Sequence, residues 1–157
     1  MGKNIKKYKN EIKNIKKQGS EIGNHSYNHL NLLFQSKKEI LEQIEKTDKE
    51  LSKCRIKTNL FRPPHGNFWV NLLLTINQLN KKLILWDVDP KDWNNQTKEK
   101  IIDYVIKNVK NGSVIDLHEY AEGIGANNKL SNVLEELIPK LQNKGYNLTT
   151  ISELYNF

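Results

Sequence analysis

Glu21-Ile22-Gly23-Asn24-His25-Ser26-Tyr27-Asn28-His29 is the stretch on which the reading of this chain turns. A short apolar run stops at Gly and Asn, and two histidines four residues apart follow at once. If the backbone enters a helical turn there, positions i and i+4 share a face and both imidazoles point to one side. Imidazole is the commonest protein ligand for zinc and suits several other divalent metals, which makes His25 and His29 candidate metal ligands. Taken alone, so short a pair is more often two unrelated surface or capping histidines, and the surrounding sequence has to decide.

Outward from that stretch, apolar segments of strand length alternate with segments of helical period. Upstream, Ile5, Tyr8, Ile12 and Ile15 recur at helical spacing on a lysine-rich segment that Gly19 ends at its C′ position. Downstream, Ser36 and Glu39 form a capping-box pattern that opens a helix with Ile40, Ile44, Thr47 and Leu51 on one face. Leu60 and Phe61 make a brief strand that stops at Arg62-Pro63-Pro64-His65-Gly66, where two prolines forbid regular pairing. A helix is predicted over residues 68–80, then a buried strand over 83–86 that empties into Asp87-Val88-Asp89-Pro90-Lys91-Asp92-Trp93. Thr97 is placed to cap a helix carrying Ile102, Val105, Ile106 and Val109, with Gly112 as its stop. A strand over 114–117 ends at His118, and a loop with Gly123 and Gly125 follows. The stripe Leu130, Val133, Leu134, Leu137, Ile138 and Leu141 then runs to Gly145, and a last strand is predicted over 148–150.

Strand followed by helix, about five times over, argues for an α/β chain with parallel strands and crossover helices, either an open doubly wound sheet or part of a (β/α) barrel. Both architectures place active sites just after the strands. All four histidines, His25, His29, His65 and His118, fall at such strand ends, as do Arg62, Asp89 and Asp92. Scattered core or surface histidines would not converge in this way, and the metal-site reading gains accordingly.

Composition sets the outer bounds. A chain of 157 residues with 37% hydrophobic residues is long enough for one domain with a real core. The net charge of +7 is uneven: residues 1–20 hold seven lysines against Glu11, whereas the remainder has 18 bases against 17 acids. That basic segment reads as the solvated face of a packed helix. Nucleic-acid binding is disfavoured, because no basic stripe interleaved with aromatics continues elsewhere and Arg55 and Arg62 are the only arginines. The single cysteine, Cys54, excludes an intramolecular disulfide framework. No apolar run approaches transmembrane length, and no secretory signal is read in the sequence.

Together these residues resemble the polysaccharide deacetylase family, the NodB-type carbohydrate esterases. The matching motifs are His25-Ser26-Tyr27-Asn28-His29 for HSxxH, Arg62-Pro63-Pro64-His65-Gly66 for RxPxG, Asp89-Pro90-Lys91-Asp92-Trp93 for DxxDW, and Leu117-His118 for the LxH region. The resemblance covers the chain from about Glu21 to its end. It implies a distorted (β/α) barrel with a metal-dependent site, acting on acetylated N-acetylglucosamine polymers such as peptidoglycan or chitin, in an extracellular or cell-envelope setting. By the same resemblance His25 and His29 hold a divalent metal, zinc or a relative. His118 is the general acid, Asp92 orients it, and the His65 backbone N–H stabilises the oxyanion. Pro64, Trp93 and Leu117 belong to the substrate-binding surface.

Two departures qualify these expectations. The family's Asp-Asp strand, source of the catalytic base and a third metal ligand, has no counterpart, since no aspartate precedes Asp48. The first barrel strand is therefore expected to be missing, the barrel incomplete with an edge open to pairing with another copy, Arg62 left without the base it holds in the family, and catalysis impaired. A non-catalytic relative that binds glycan is the alternative. Asp116 also stands where the family has a pocket-lining leucine. Strand alternation puts it on the face of His118, where an ionised carboxylate raises the histidine pKa. Asp116 and His65 are both candidates for a replacement metal ligand.

Overall fold

The computed structural model describes residues 1–119 and 130–157, so the predicted loop at Gly123 and Gly125 lies outside the described residues. The chain divides into two compact units, Met1–Leu85 and Trp86–Phe157.

In the first unit, β1 (Leu60–Phe61) and β2 (Lys82–Leu83) pair in parallel, Leu60 with Lys82 and Phe61 with Leu83. Asn24 adds a parallel bridge to Phe61 from the other side. Parallel pairing is what the strand–helix alternation predicts, but the regular strands are only two residues long. The short apolar run that stops at Gly23 and Asn24 contributes only the Asn24 bridge. The run at 83–86 is not a continuously buried strand either: Ile84 is buried, whereas Leu85 is exposed.

The helices of this unit are α1 (Lys9–Lys17), α2 (Lys37–Ser52) and α3 (Val70–Gln78), with short 3-10 turns at Gly2–Asn4 and Pro64–Gly66. Ser36 caps α2 as its sequence predicts: its Oγ accepts from the Glu39 N–H, and the Glu39 carboxylate accepts from the Ser36 N–H at 2.9 Å. Ile40, Ile44, Thr47 and Leu51 are all buried on the inner face of α2. One core joins Leu32, Ile40, Ile44, Phe61, Leu72 and Ile76; a smaller one joins Ile5, Leu51, Cys54 and Ile56, with Ile12 packed against it. The stripe read at the N-terminus is therefore only half correct. Ile5, which precedes α1, and Ile12, within it, pack inward, while Tyr8 and Ile15 are exposed. Gly19 does take the left-handed conformation, φ 91°, that ends α1.

In the second unit, α4 (Lys98–Asn108) and α5 (Leu130–Asn143) pack against each other, followed by the short α6 (Ile151–Tyr155). Val88, Ile101, Ile102, Val105, Val133, Leu137 and Leu141 form its core. Thr97 caps α4 by accepting from the Lys100 N–H, and the helix ends at Val109, three residues before Gly112. The strand expected over 114–117 appears as one parallel bridge, Val88 with Ile115, reinforced by the Asp116 N–H donating to the Val88 carbonyl at 2.9 Å. No strand forms over 148–150. The Glu153 carboxylate accepts from the Thr150 N–H and the Thr149 hydroxyl, making Thr150 the N-cap of α6. That capping box competes locally with extended pairing, and it wins.

Candidate functional site

The segment carrying His25 and His29 is not the helical turn that would align an i, i+4 pair. Ser26 and His29 both have left-handed backbones, φ 61° each. The N–H groups that a helix would satisfy internally are taken by side chains instead. Gln43 Oε1, on the buried face of α2, accepts from the N–H of Tyr27 (3.1 Å) and Asn28 (2.9 Å), and Ser26 Oγ accepts from the N–H of His29 (3.0 Å).

Asn24 anchors the start of the segment. It is fully buried, its amide donates to the Ile44 carbonyl (2.9 Å) and to Asp48 (2.8 Å), and its Oδ1 accepts from the Ser26 N–H (3.0 Å). Its backbone bonds Leu60 and Arg62 on β1 and just beyond it. Asn24, Ser26 and Gln43 are functional supports that motif reading passed over. The available signal was a glutamine placed on the otherwise apolar face of α2.

The loop brings the two imidazoles together, with ring centroids 4.9 Å apart and planes inclined by 69°. His65 joins them: its ring lies 4.8 Å from that of His29 at 76°. His25 Nδ1 lies 2.8 Å from the Arg62 carbonyl oxygen. A carbonyl can only accept, so Nδ1 carries the proton and the lone pair of the neutral ring is on Nε2. Burial pushes the His25 pKa down to about 4, against the smaller opposing effect of that hydrogen bond, so the ring is neutral at physiological pH. A neutral imidazole whose second nitrogen is fixed by a backbone carbonyl is the form in which histidine binds metal. The donor chemistry of His25 and His29 thus fits a divalent cation. Among the described residues, no three His, Cys, Asp or Glu side chains are already gathered into a complete ligand set.

Arg62 contributes through its backbone, which bonds both Asn24 and His25. In the Pro64–Gly66 turn, Pro64 is buried and His65 is exposed, with φ 60° and ψ 10°. The Gly66 and Asn67 N–H groups bond back to Pro63 and Pro64, while the His65 N–H finds no acceptor among the described residues.

The second unit holds an Asp–His constellation. Asp92 is buried, and both its oxygens face His118: Oδ2 accepts from the backbone N–H at 2.7 Å and Oδ1 lies 2.8 Å from Nδ1. On the other side of the ring, Asp116 Oδ2 lies 3.7 Å from Nε2, so Asp116 shares the face of His118 as strand alternation predicts. The hydrogen bond to Asp92 raises the His118 pKa, with charge contributions from Asp92, Asp116 and Asp89, and desolvation opposes it. Trp93 is exposed at 44%, which makes it a surface ring and not core. Leu117 packs against the Val88–Leu137 core and is only partly buried. Among the described residues, no helix is long and apolar enough to cross a membrane.

Known proteins are similar to this chain in sequence and in fold. The profile of the polysaccharide deacetylase family matches residues 1–84. The chain is 33% identical over 155 residues to peptidoglycan-N-acetylmuramic acid deacetylase PdaC of Bacillus subtilis, covering 98% of this chain and 31% of that protein. It is 33% identical over 150 residues to a peptidoglycan-N-acetylglucosamine deacetylase of Bacillus cereus, covering 93% of this chain and 68% of that one. The chain thus spans from about a third to two thirds of the length of these relatives. The solved structure of Bacillus subtilis PdaC superimposes with a TM-score of 0.87 at 32% identity, over 99% of this chain and 73% of that one. A CE4 family pseudoenzyme from Bacillus anthracis superimposes at 0.84 with 27% identity (98% and 52% covered), and a family 4 acetyl xylan esterase from Clostridium thermocellum in complex with a cobalt ion at 0.89 with 25% identity (99% and 74% covered). With the family profile matching 84 of its 157 residues and relatives a third identical along nearly its whole length, the chain belongs to the polysaccharide deacetylase family.

Proposed function

We propose that this chain is a polysaccharide-deacetylase-like domain built to remove acetyl groups from N-acetylated amino sugars of peptidoglycan or chitin-like polymers, with a divalent metal, zinc or a relative, held by His25 and His29. The observation that carries this reading is the hydrogen bond from His25 Nδ1 to the Arg62 carbonyl, which leaves Nε2 as the ligating atom. Bound there, a divalent ion supplies a Lewis acid for the acetamide carbonyl and lowers the pKa of water. The remaining chemistry falls to the chain itself. The unpartnered His65 N–H is suited to donate to the oxyanion that develops on the carbonyl. His118, whose pKa the hydrogen bond to Asp92 raises, is the group suited to give a proton to the departing amine. Pro64 and Trp93 line the acetylated sugar.

A pseudoenzyme among the structural relatives supports a second reading, a glycan-binding domain without turnover. Acetate release from N-acetylated chitooligosaccharide and from peptidoglycan, measured with purified protein and added Zn²⁺ or Co²⁺, separates the two. Metal-dependent release that His118→Ala abolishes supports the enzyme. Glycan binding without release supports the second reading, and neither release nor binding refutes both.

A further inference from the structure

When protonated, His118 carries its charge between two carboxylates, and giving up the Nε2 proton moves that charge to whatever nitrogen receives it. We propose that Asp116 is the binding residue for that nitrogen: its carboxylate holds the cationic amine of a deacetylated sugar, so the site takes free amino sugars as ligands. The inference rests on the deacetylase reading above, with His118 as proton donor.

The first support is the placement of the carboxylate. Asp116 is 5% exposed, and its N–H donates to the Val88 carbonyl at 2.9 Å beside the Val88–Ile115 bridge. That pins its backbone. Asp92 takes the Nδ1 side of the His118 ring at 2.8 Å, and Asp116 Oδ2 lies 3.7 Å from Nε2. A ligand nitrogen bonded to Nε2 at about 3 Å, on the side of the ring that Asp116 occupies, is within about 5 Å of Oδ2. The His118 side chain is 37% exposed and that of Asp116 only 7%, so a ligand reaches the ring from solvent while the carboxylate stays shielded from water, where its charge acts more strongly.

The second support is the movement of charge. Water adds to the acetamide carbonyl, Nε2–H protonates the amide nitrogen, and the C–N bond breaks with its electron pair on nitrogen, giving acetic acid and the amine. The proton shed by the water passes to solvent, from which the ring recovers one; proton exchange between acid and amine leaves acetate and an ammonium. Asp92 stays with His118 throughout, because it also accepts from the His118 backbone N–H at 2.7 Å. Asp116 makes the longer contact, and its cation can change from the imidazolium to the ammonium. A carboxylate shielded from water gains from either. Asp89 adds charge at the same ring, but its Oδ1 accepts from the Lys91 N–H at 2.8 Å. An N-acetyl amide is neutral and forms no such ion pair, so this carboxylate separates product from substrate.

The test is calorimetric titration of the full chain with a glucosamine trimer and with the matching N-acetylglucosamine trimer, whose integrity is checked by mass spectrometry. Circular dichroism confirms folding. Asp116→Asn keeps the shape and removes the charge; it should weaken binding of the glucosamine trimer at least about fivefold and leave the acetylated trimer within about twofold. A purely structural role would weaken both alike. If the variant does not fold, wild type alone decides: in two buffers of different ionisation enthalpy at about pH 8, the glucosamine trimer should draw more protons into the complex than the acetylated one does. Unchanged affinity of folded Asp116→Asn for the glucosamine trimer, an equal loss for both trimers, or equal proton uptake overturns the proposal. Binding of the acetylated trimer alone overturns it and leaves the deacetylase reading standing, whereas binding of neither counts against both.

Discussion

The Nδ1–H of His25 donates to the carbonyl of Arg62 across 2.8 Å, and this bond ties the histidine loop to the segment that leads into the turn carrying His65. It sets the tautomer of a buried ring and joins two motifs that are 37 residues apart in sequence.

A pH dependence of stability follows from that burial. The folded pKa of His25 is about 4, against about 6.5 for an unfolded histidine. A base whose pKa falls on folding contributes stability that is present above the unfolded value and is lost as pH drops toward the folded one. Urea midpoints of the metal-free protein should therefore fall between pH 6.5 and 4. His25→Asn, whose amide can keep the bond to Arg62 but cannot titrate, should show a shallower fall; equal slopes would count against a buried neutral His25.

For His118 the sign is reversed. Its pKa is raised, chiefly by the hydrogen bond to Asp92, so the stability contributed by the pair is complete below about pH 6.5 and is lost as pH rises through the folded pKa. Imidazole proton NMR should find the His118 midpoint above that of an unfolded histidine. Asp92→Asn should lower it more than Asp116→Asn does, because Asp92 bonds the ring at 2.8 Å whereas Asp116 acts across 3.7 Å.

Asp116→Ala should leave Co²⁺ affinity within about twofold of wild type, since Asp116 Oδ2 faces His118 Nε2 at 3.7 Å. Calorimetric titration checks this. A loss of tenfold or more would make Asp116 a metal ligand.

The histidine loop depends on side chains that satisfy its backbone. Gln43→Leu strands the N–H groups of Tyr27 and Asn28, and Asn24→Ala removes a fully buried amide with three partners. Each should cost about 2–3 kcal/mol in denaturant unfolding, whereas Trp93→Ala, at an exposed ring, should cost under about 1 kcal/mol. Gln43→Leu should also weaken Co²⁺ binding, although Gln43 is no ligand.

Helix caps were legible in the sequence because they are local: Ser36 with Glu39 and Thr97 at the head of α4 need only their own next three residues. The same locality makes the missed cap at Thr150 instructive. Its β-branched neighbourhood favours a strand on composition, but the Glu153 carboxylate bonds the Thr150 N–H and removes it from any ladder. Strand lengths were overestimated because an apolar run says that a segment can be buried, not how many of its backbone groups find partners in register.

By itself, the sequence determined the motifs, the order of strand-like and helical segments, and hence the family, since these follow from residue type and period. Tertiary structure alone decided that the His25–His29 segment is a side-chain-braced loop and not a helical turn, because Gln43 and Asn24 reach it only after α2 and β1 have packed. It also decided that His65 stands beside His29, a neighbourhood between distant turns that no local pattern encodes.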